Sequence, residues 1–439
     1  MRLLPRLVTT LIIVTGLFFS QSIENEVTVN TYTINDQLHP AIASDKTGRF
    51  IIVWESQKQD ENLPGIYAQI FQSDGTPYQN NIKINSMWAL HEYPAVALGE
   101  GGNIIVTWTN HWIEKIASAA VCVSLFNKEG SALTEDIQVN EYEDHYQGLP
   151  DIATDKIDSF IVTWQSWGQD KNGLGIFASK FDPSATTLKS EFQVNTKTLN
   201  DQIHPAIAMD PDGRFVIVWT DCDSSGQPVA IYGQHFTKEG EKIGPEIPIS
   251  VPNGNWKDGP DIAMTENGNF VVCWHAHSYT ADTYDIFARL YWANGAPHGQ
   301  EFRVNTQTEG WQTFPSIDID PEGRFVIIWE SKNPEGDSLG IFGQVFEANG
   351  LTAGPEFRVN KTLTGIHRFP DVRILNNQKI CVVWQHRTED SGWDIKARTI
   401  LNQLGFLDYL KKEKLDENEK NPLSHRHTRP HICNHGAGL

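Results

Sequence analysis

In this 439-residue chain, a few acidic and imidazole side chains stand where an otherwise regular pattern breaks. Asp221, Cys222 and Asp223 do so in one place, and His275, His277, Asp282 and Asp285 in another. Two carboxylates at a suitable separation run glycoside hydrolysis, and a histidine with an aspartate serves as acid and base. Drift in solvated loops produces the same departures, so no catalytic residue is assigned. A second set is aromatic: Tyr32, His39, Trp88, His91, Tyr142, His145, Tyr146, His204, Trp256, Trp311 and His367 lie in segments that lead into a recurring proline. Gathered around one opening, such rings stack on sugars or aromatic groups. His39, His91, Tyr146, His204, Trp256, Trp311 and His367 are therefore the ligand-binding candidates. The same rings can also cap strand ends and fill a channel. Two of these segments are near-copies, Asn35-Asp-Gln-Leu-His-Pro40 and Asn200-Asp-Gln-Ile-His-Pro205.

Metal chemistry has two candidates, and neither leads to an assigned metal or cofactor. Asp210-Pro-Asp-Gly213 and Asp320-Pro-Glu-Gly323 offer carboxylates for calcium. They also have what a tight turn needs, with proline setting φ and glycine in the left-handed position. Asp45-Lys-Thr-Gly48 fills the equivalent place with one acid, so full carboxylate ligation is not shared. His425, His427, His431, Cys433 and His435 form a tract of the zinc- or copper-binding kind, but its spacing matches no closed site and suits a solvated tail.

The elements that must position these side chains come from a repeat of 55 residues. A tryptophan returns at Trp54, Trp108, Trp164, Trp219, Trp274, Trp329 and Trp384. Strands ending in Asn recur at Asn30, Asn85, Asn140, Asn195, Asn305 and Asn360, with Ser250 the deviant. Repeats start near 26, 81, 136, 191, 246, 301 and 356. Each holds a short strand opening at a proline (Pro315 to Asp320), a nearly continuous apolar strand (Arg324 to Glu330), a third strand (Gly340 to Phe346) and a fourth (Glu356 to Asn360). Runs rich in Val, Ile, Phe and Trp, punctuated by Asn-Gly and Asp-Gly, are strand and hairpin signals. Four antiparallel strands per unit, seven times over, predict an all-β seven-bladed β-propeller spanning 23–405. No fourth strand follows the seventh set, while Glu26-Val-Thr-Val-Asn30 is an unpaired copy at the beginning. The N-terminal strand is therefore expected to complete the last blade and close the ring. Loops of about ten residues should share one face with the aromatic segments, and tight turns the other. Long loops on a rigid scaffold are where binding usually resides.

Flanking segments and charge bound the setting. Residues 1–22 read as a signal peptide, with Arg2 and Arg6 ahead of a 13-residue apolar run from Leu7 to Phe19, so the expected location is secreted or periplasmic, with no membrane span after cleavage. Residues 406–439 read as a short helix and a disordered His-rich tail. A net charge of −20 disfavours nucleic acid. Five cysteines at unrelated repeat positions do not make a disulfide framework.

The consensus D-x-x-G-x-F-V-[IV]-x-W, G-I-[FY]-[GA]-Q-x-F and E-F-x-V-N-T, over about residues 26–405, resembles repeats of secreted bacterial proteins, some with hemolysin-type calcium-binding tracts. No G-G-x-G-x-D nonapeptide is present, so calcium-driven folding does not carry over. The S-x-D-x-G-x-T-W turn of sialidase propellers is not matched either. What the resemblance implies is a scaffold. The expected role is a monomeric binding or interaction module for a glycan or a protein surface. The alternatives are a propeller glycoside hydrolase of sialidase-like kind and a structural envelope component.

Overall fold

The computed structural model describes residues 25–401, except 61–62, 113–117, 252–253, 279–281, 333–338, 377–378 and 390. The expected signal segment and the His-rich tail lie outside the described residues. Within them the chain forms seven four-stranded antiparallel sheets. The innermost strands are Gln37–Ser44, Leu90–Leu98, Gln147–Thr154, Gln202–Met209, Trp256–Met264, Gln312–Ile319 and Ile366–Asn376. Each packs beside the next around an axis, the last beside the first. The chain is a seven-bladed β-propeller.

The core lies between blades. Second strands such as Phe325–Lys332 are buried along nearly their whole length, because both faces of each blade are covered by neighbours. All seven repeat tryptophans are at most 1% exposed. The four described cysteines are buried and free.

Each recurring asparagine has a defined task. Its side-chain oxygen accepts the third-strand N–H that the fourth strand leaves unpaired, as in Ile66 N to Asn85 Oδ1 at 2.8 Å and Val121 N to Asn140 Oδ1 at 2.8 Å. The deviant Ser250 does the same, its Oγ accepting from Ile231 N at 3.0 Å. A second clasp joins neighbouring blades. An acid or amide four residues before each recurring asparagine or Ser250 accepts the N–H just past the corresponding residue of the preceding blade, as Glu356 does from Thr306 N at 2.7 Å.

Ring closure uses both devices. Val27 and Thr28 pair with Ala397 and Lys396 of Trp393–Leu401, and Val29 N donates to Ile395 O at 2.8 Å. Asn30 Oδ1 accepts from Ile395 N at 2.8 Å, and Glu26 Oε2 accepts from Lys361 N at 2.7 Å. The N-terminal strand thus completes the blade built by the last three strands.

One expectation needs correction. The innermost strands do not open at the proline but begin about three residues earlier, and every one is interrupted by a register shift at the proline, as between Leu38 and Ala41 or Thr313 and Ser316. Proline has no N–H for the ladder, so a bulge absorbs it. The calcium alternative also resolves as a turn. Asp210 Oδ1 accepts from Asp212 N at 3.0 Å and Arg214 N at 2.9 Å, while Oδ2 holds Arg214 Nε at 2.8 Å.

Candidate site at the channel mouth

The bulge decides which side chains reach the axis. In all seven blades the residue before the proline adopts a left-handed backbone: His39 (φ 49°), Tyr93 (54°), Leu149 (50°), His204 (53°), Gly259 (58°), Phe314 (51°) and Phe369 (50°). A bulge re-aims the side chain it carries, and here all seven residues line one axial cavity of about 520 Å³. This cavity opens on the long-loop face.

The ring they form is uneven. Phe314, Phe369, His39 and Tyr93 make a continuous aromatic arc, with centroids 4.8, 5.5 and 4.4 Å apart in that order. The Arg368 guanidinium lies 4.7 Å from the Phe369 centroid and is held by Glu330 at 3.0 Å. The far side holds Leu149, His204 and Gly259.

Two histidines stand nearly opposite each other, three blades apart, each anchored on an acid. His39 Nδ1 lies 3.0 Å from Glu55 Oε2, and His204 Nδ1 lies 2.7 Å from Asp258 Oδ1. An ionised carboxylate only accepts, so the shared proton sits on Nδ1 and Nε2 remains as the free polar atom of a cavity-lining ring. Asp258 Oδ1 also accepts from Thr220 Oγ1 at 2.9 Å and Gly259 N at 2.7 Å. Burial pushes this carboxyl up. The His204 hydrogen bond and charge, with smaller help from His275 and Thr220, outweigh burial and bring it down to about 2. For His204, burial opposes the charge, but Asp258 prevails and raises the pKa.

Deeper in the channel, aspartates on alternate blades stitch the innermost strands together. Asp151 holds Ile207 N at 2.8 Å, Asp261 holds Ile317 N at 2.9 Å and Asp371 holds Ile42 N at 2.9 Å. Burial pushes Asp151 up to about 6 and Asp261 to about 7. Arg373 lies among them, 3.5 Å from Asp371. On the tight-turn face, Lys46 contacts Glu100 at 2.7 Å and Glu266, three blades away around the ring, at 3.1 Å.

Among known proteins, no family model and no curated sequence matches this chain. Solved structures do. The chain is similar to a polysaccharide lyase of family PL25, an ulvan lyase, at 10% identity and TM-score 0.54, over 85% of this chain and 94% of that one. It is similar to a protein of unknown function from Dyadobacter fermentans at 12% identity and TM-score 0.52, over 73% and 96%. The β-propeller domain of the trilobed protease from Pyrococcus furiosus aligns at 10% identity and TM-score 0.50, over 85% and 97%. At such identities the likeness is one of fold. That propeller is described as having an open velcro topology, whereas the ring here is closed by its N-terminal strand.

The sequence candidates divide by position. His39 and His204, directly before the proline, face the cavity. His91 and His367, three residues before it, do not face the mouth but are buried. His367 Nδ1 accepts from Trp384 Nε1 at 3.0 Å, the task Gln37 performs for Trp54 at 3.0 Å. Tyr146, Trp256 and Trp311, four residues before the proline, stand further out on the loop face. There Tyr284 meets Trp311 edge-on at 6.0 Å, and Trp256 lies 5.3 Å from the His277 ring. Tyr93, Phe314 and Phe369 line the cavity as well, though none is among the ring residues singled out in the sequence. Aligning the repeats on the residue before the proline would have found them.

The carboxylates proposed for hydrolysis do not gather. Asp221 is buried and pairs with Lys197. Asp223 caps its own turn at Ser225 N, 2.8 Å. Asp282 contacts His277 at 3.1 Å, and Asp285 accepts from Asn305 Nδ2 at 2.6 Å. Among the described residues, no group of three or more His, Cys, Asp or Glu is placed to hold a metal ion.

Proposed function

We propose that this protein is a secreted or periplasmic binding module that takes a glycan into the mouth of its central channel. The observation that carries the proposal is the ring itself. One bulge, repeated in every blade, turns an aromatic arc and two acid-anchored histidines toward a single cavity. Aromatic faces supply stacking surface, and oriented imidazole nitrogens supply directional hydrogen bonds, the combination sugar rings need. The N-terminal charged and apolar run supports export.

A glycan array probed with the protein lacking residues 1–22 tests this. Binding should appear and should weaken about tenfold or more in a Phe314→Ala, Phe369→Ala double variant, since central aromatic anchors carry a large share of binding energy. Silence across the array, with capture of a protein ligand at the same face, would move the assignment to a protein partner.

A second proposal, a glycan-cleaving enzyme, rests on the two histidine–carboxylate pairs. Opposed imidazoles across one cavity are placed to serve as base and acid. Product release from any array-positive glycan, abolished in His39→Gln and His204→Gln, would establish it.

A further inference from the structure

The aromatic arc of the mouth does not end at Phe314. The Phe314 ring lies 5.7 Å from the His275 ring, His275 lies 5.9 Å from Tyr284, and Tyr284 meets Trp311 edge-on at 6.0 Å. The succession of ring contacts that begins at Tyr93 in blade 2 therefore runs unbroken across the mouth and out over blades 5 and 6. His275 is buried and supports its neighbours from below. Phe314 is 38% exposed and Trp311 48%. A folded chain gains by burying such rings, so two left this open along one line of contacts are informative.

Packing within the ring of blades does not require them. A backbone bridge joins Trp311 to Tyr284, and the same bridge joins Tyr146 of blade 3 to Ala119 of blade 2. There the partner is an alanine, so the bridge forms without a pair of rings. The place of Trp311, four residues before the proline, is held by Asp36 in blade 1 and Asp201 in blade 4, so a blade end does not need an indole. The indole is nonetheless fixed. The Lys332 ammonium lies 5.1 Å from its centre, and Tyr284 borders it. A ring that is already held loses little freedom when a ligand covers it.

We propose that the exposed rings from Phe314 to Trp311 are outer subsites of the mouth, so that the ligand is a glycan chain of several units lying across the mouth and out over blades 5 and 6. This rests on the glycan reading of the mouth and deepens it by naming the length of ligand the site takes and the residue that meets its outer part. Successive sugars of a chain each offer an apolar face to a row of aromatic rings. Once one unit is seated, the next binds as part of the same molecule and adds contacts without a second cost of association.

Titration calorimetry with cello-, xylo-, manno- and galacturono-oligosaccharides, each from disaccharide to hexasaccharide, tests this. In at least one series the hexasaccharide is expected to bind wild type about tenfold or more tighter than the disaccharide, and Trp311→Ala to cut that gain about fivefold. Trp311→Tyr keeps a flat ring and should restore most of it. Phe314→Ala, at the cavity itself, should weaken both lengths. Thermal unfolding of each variant confirms that it is folded. A length gain that W311A leaves intact, in a series that F314A weakens, would remove the outer subsites and leave the mouth assignment standing. Equal affinity for disaccharide and hexasaccharide would do the same, because a chain end in the axial cavity would then account for binding. No binding of any series by wild type would overturn both readings.

Discussion

His367 shows how a residue of catalytic type is used for packing. It replaces a glutamine that elsewhere accepts the tryptophan indole N–H, and it does so only with Nδ1 unprotonated. Burial, then the nearby His386, pushes its pKa down to about 4, and burial does the same for His275. Between pH 6.5 and 4 the unfolded chain therefore binds protons that the folded one refuses, so these histidines make stability fall as pH drops through that window. The channel aspartates work in the opposite direction. Their raised pKa values mean that protonation favours the folded state, an advantage present in acid and lost as pH rises through about 6 to 7. The comparison must therefore be made between variants. His367→Gln keeps the indole partner, as Gln37 does. Relative to wild type it is expected to gain on the order of 2–3 kcal/mol in stability between pH 7 and pH 4. Urea unfolding at both pH values measures this, and a constant difference would contradict it.

At the scale of elements, the blade is held by backbone geometry that side chains complete. The fourth strand pairs for only two residues in several blades, such as Phe302–Arg303 and Phe357–Arg358. The asparagine that follows takes over where the ladder ends, accepting Ile286 N at 2.7 Å and Ile341 N at 2.8 Å. Asn85→Ala would leave the buried Ile66 N–H unpaired, which costs about 1–3 kcal/mol. Asn85→Ser is expected to recover most of that, because Ser250 already performs the same task in blade 4. Thermal unfolding of the two variants side by side decides the point; equal losses would mean that the asparagine acts through something other than this acceptor. The same logic makes Asn360 a structural residue: it is 2% exposed and committed to Ile341.

For the whole molecule, closure is the central event. Every blade has its full four strands only while Val27 and Thr28 cover the otherwise open edge of Trp393–Leu401. Removing residues 25–31 would delete that pairing, the Asn30 acceptor and the Glu26 clasp together. It would expose a strand edge in seven blades' worth of coupled core. The truncated protein is expected to lose several kcal/mol and to self-associate through the open edge, and a peptide of residues 25–31 added in excess should restore a monomer by strand addition. Size-exclusion chromatography with and without the peptide measures this. A stable truncated monomer would show that the other six blades suffice.

What could be read from the chain alone was whatever depends on periodicity. Trp54 and its six counterparts, the Asn strands and the unpaired Glu26–Asn30 copy return at fixed spacing, because each blade must bury the same faces against its neighbours. From those marks come the blade count, the strand order and the N-terminal closure. The site did not come with them. Residues two apart share a face on a regular strand but not across a bulge, so His39, directly before its proline, faces the cavity while His91, three before, is buried. Phe314 and Phe369 stand just ahead of the proline, and only the bulge turns them toward the axis. Likewise, only the folded ring shows the His275 imidazole standing 3.0 Å from where a Cβ on Gly259 would lie. Backbone direction at a bulge and the occupancy of a shared axis arise from seven blades meeting, which no single repeat encodes.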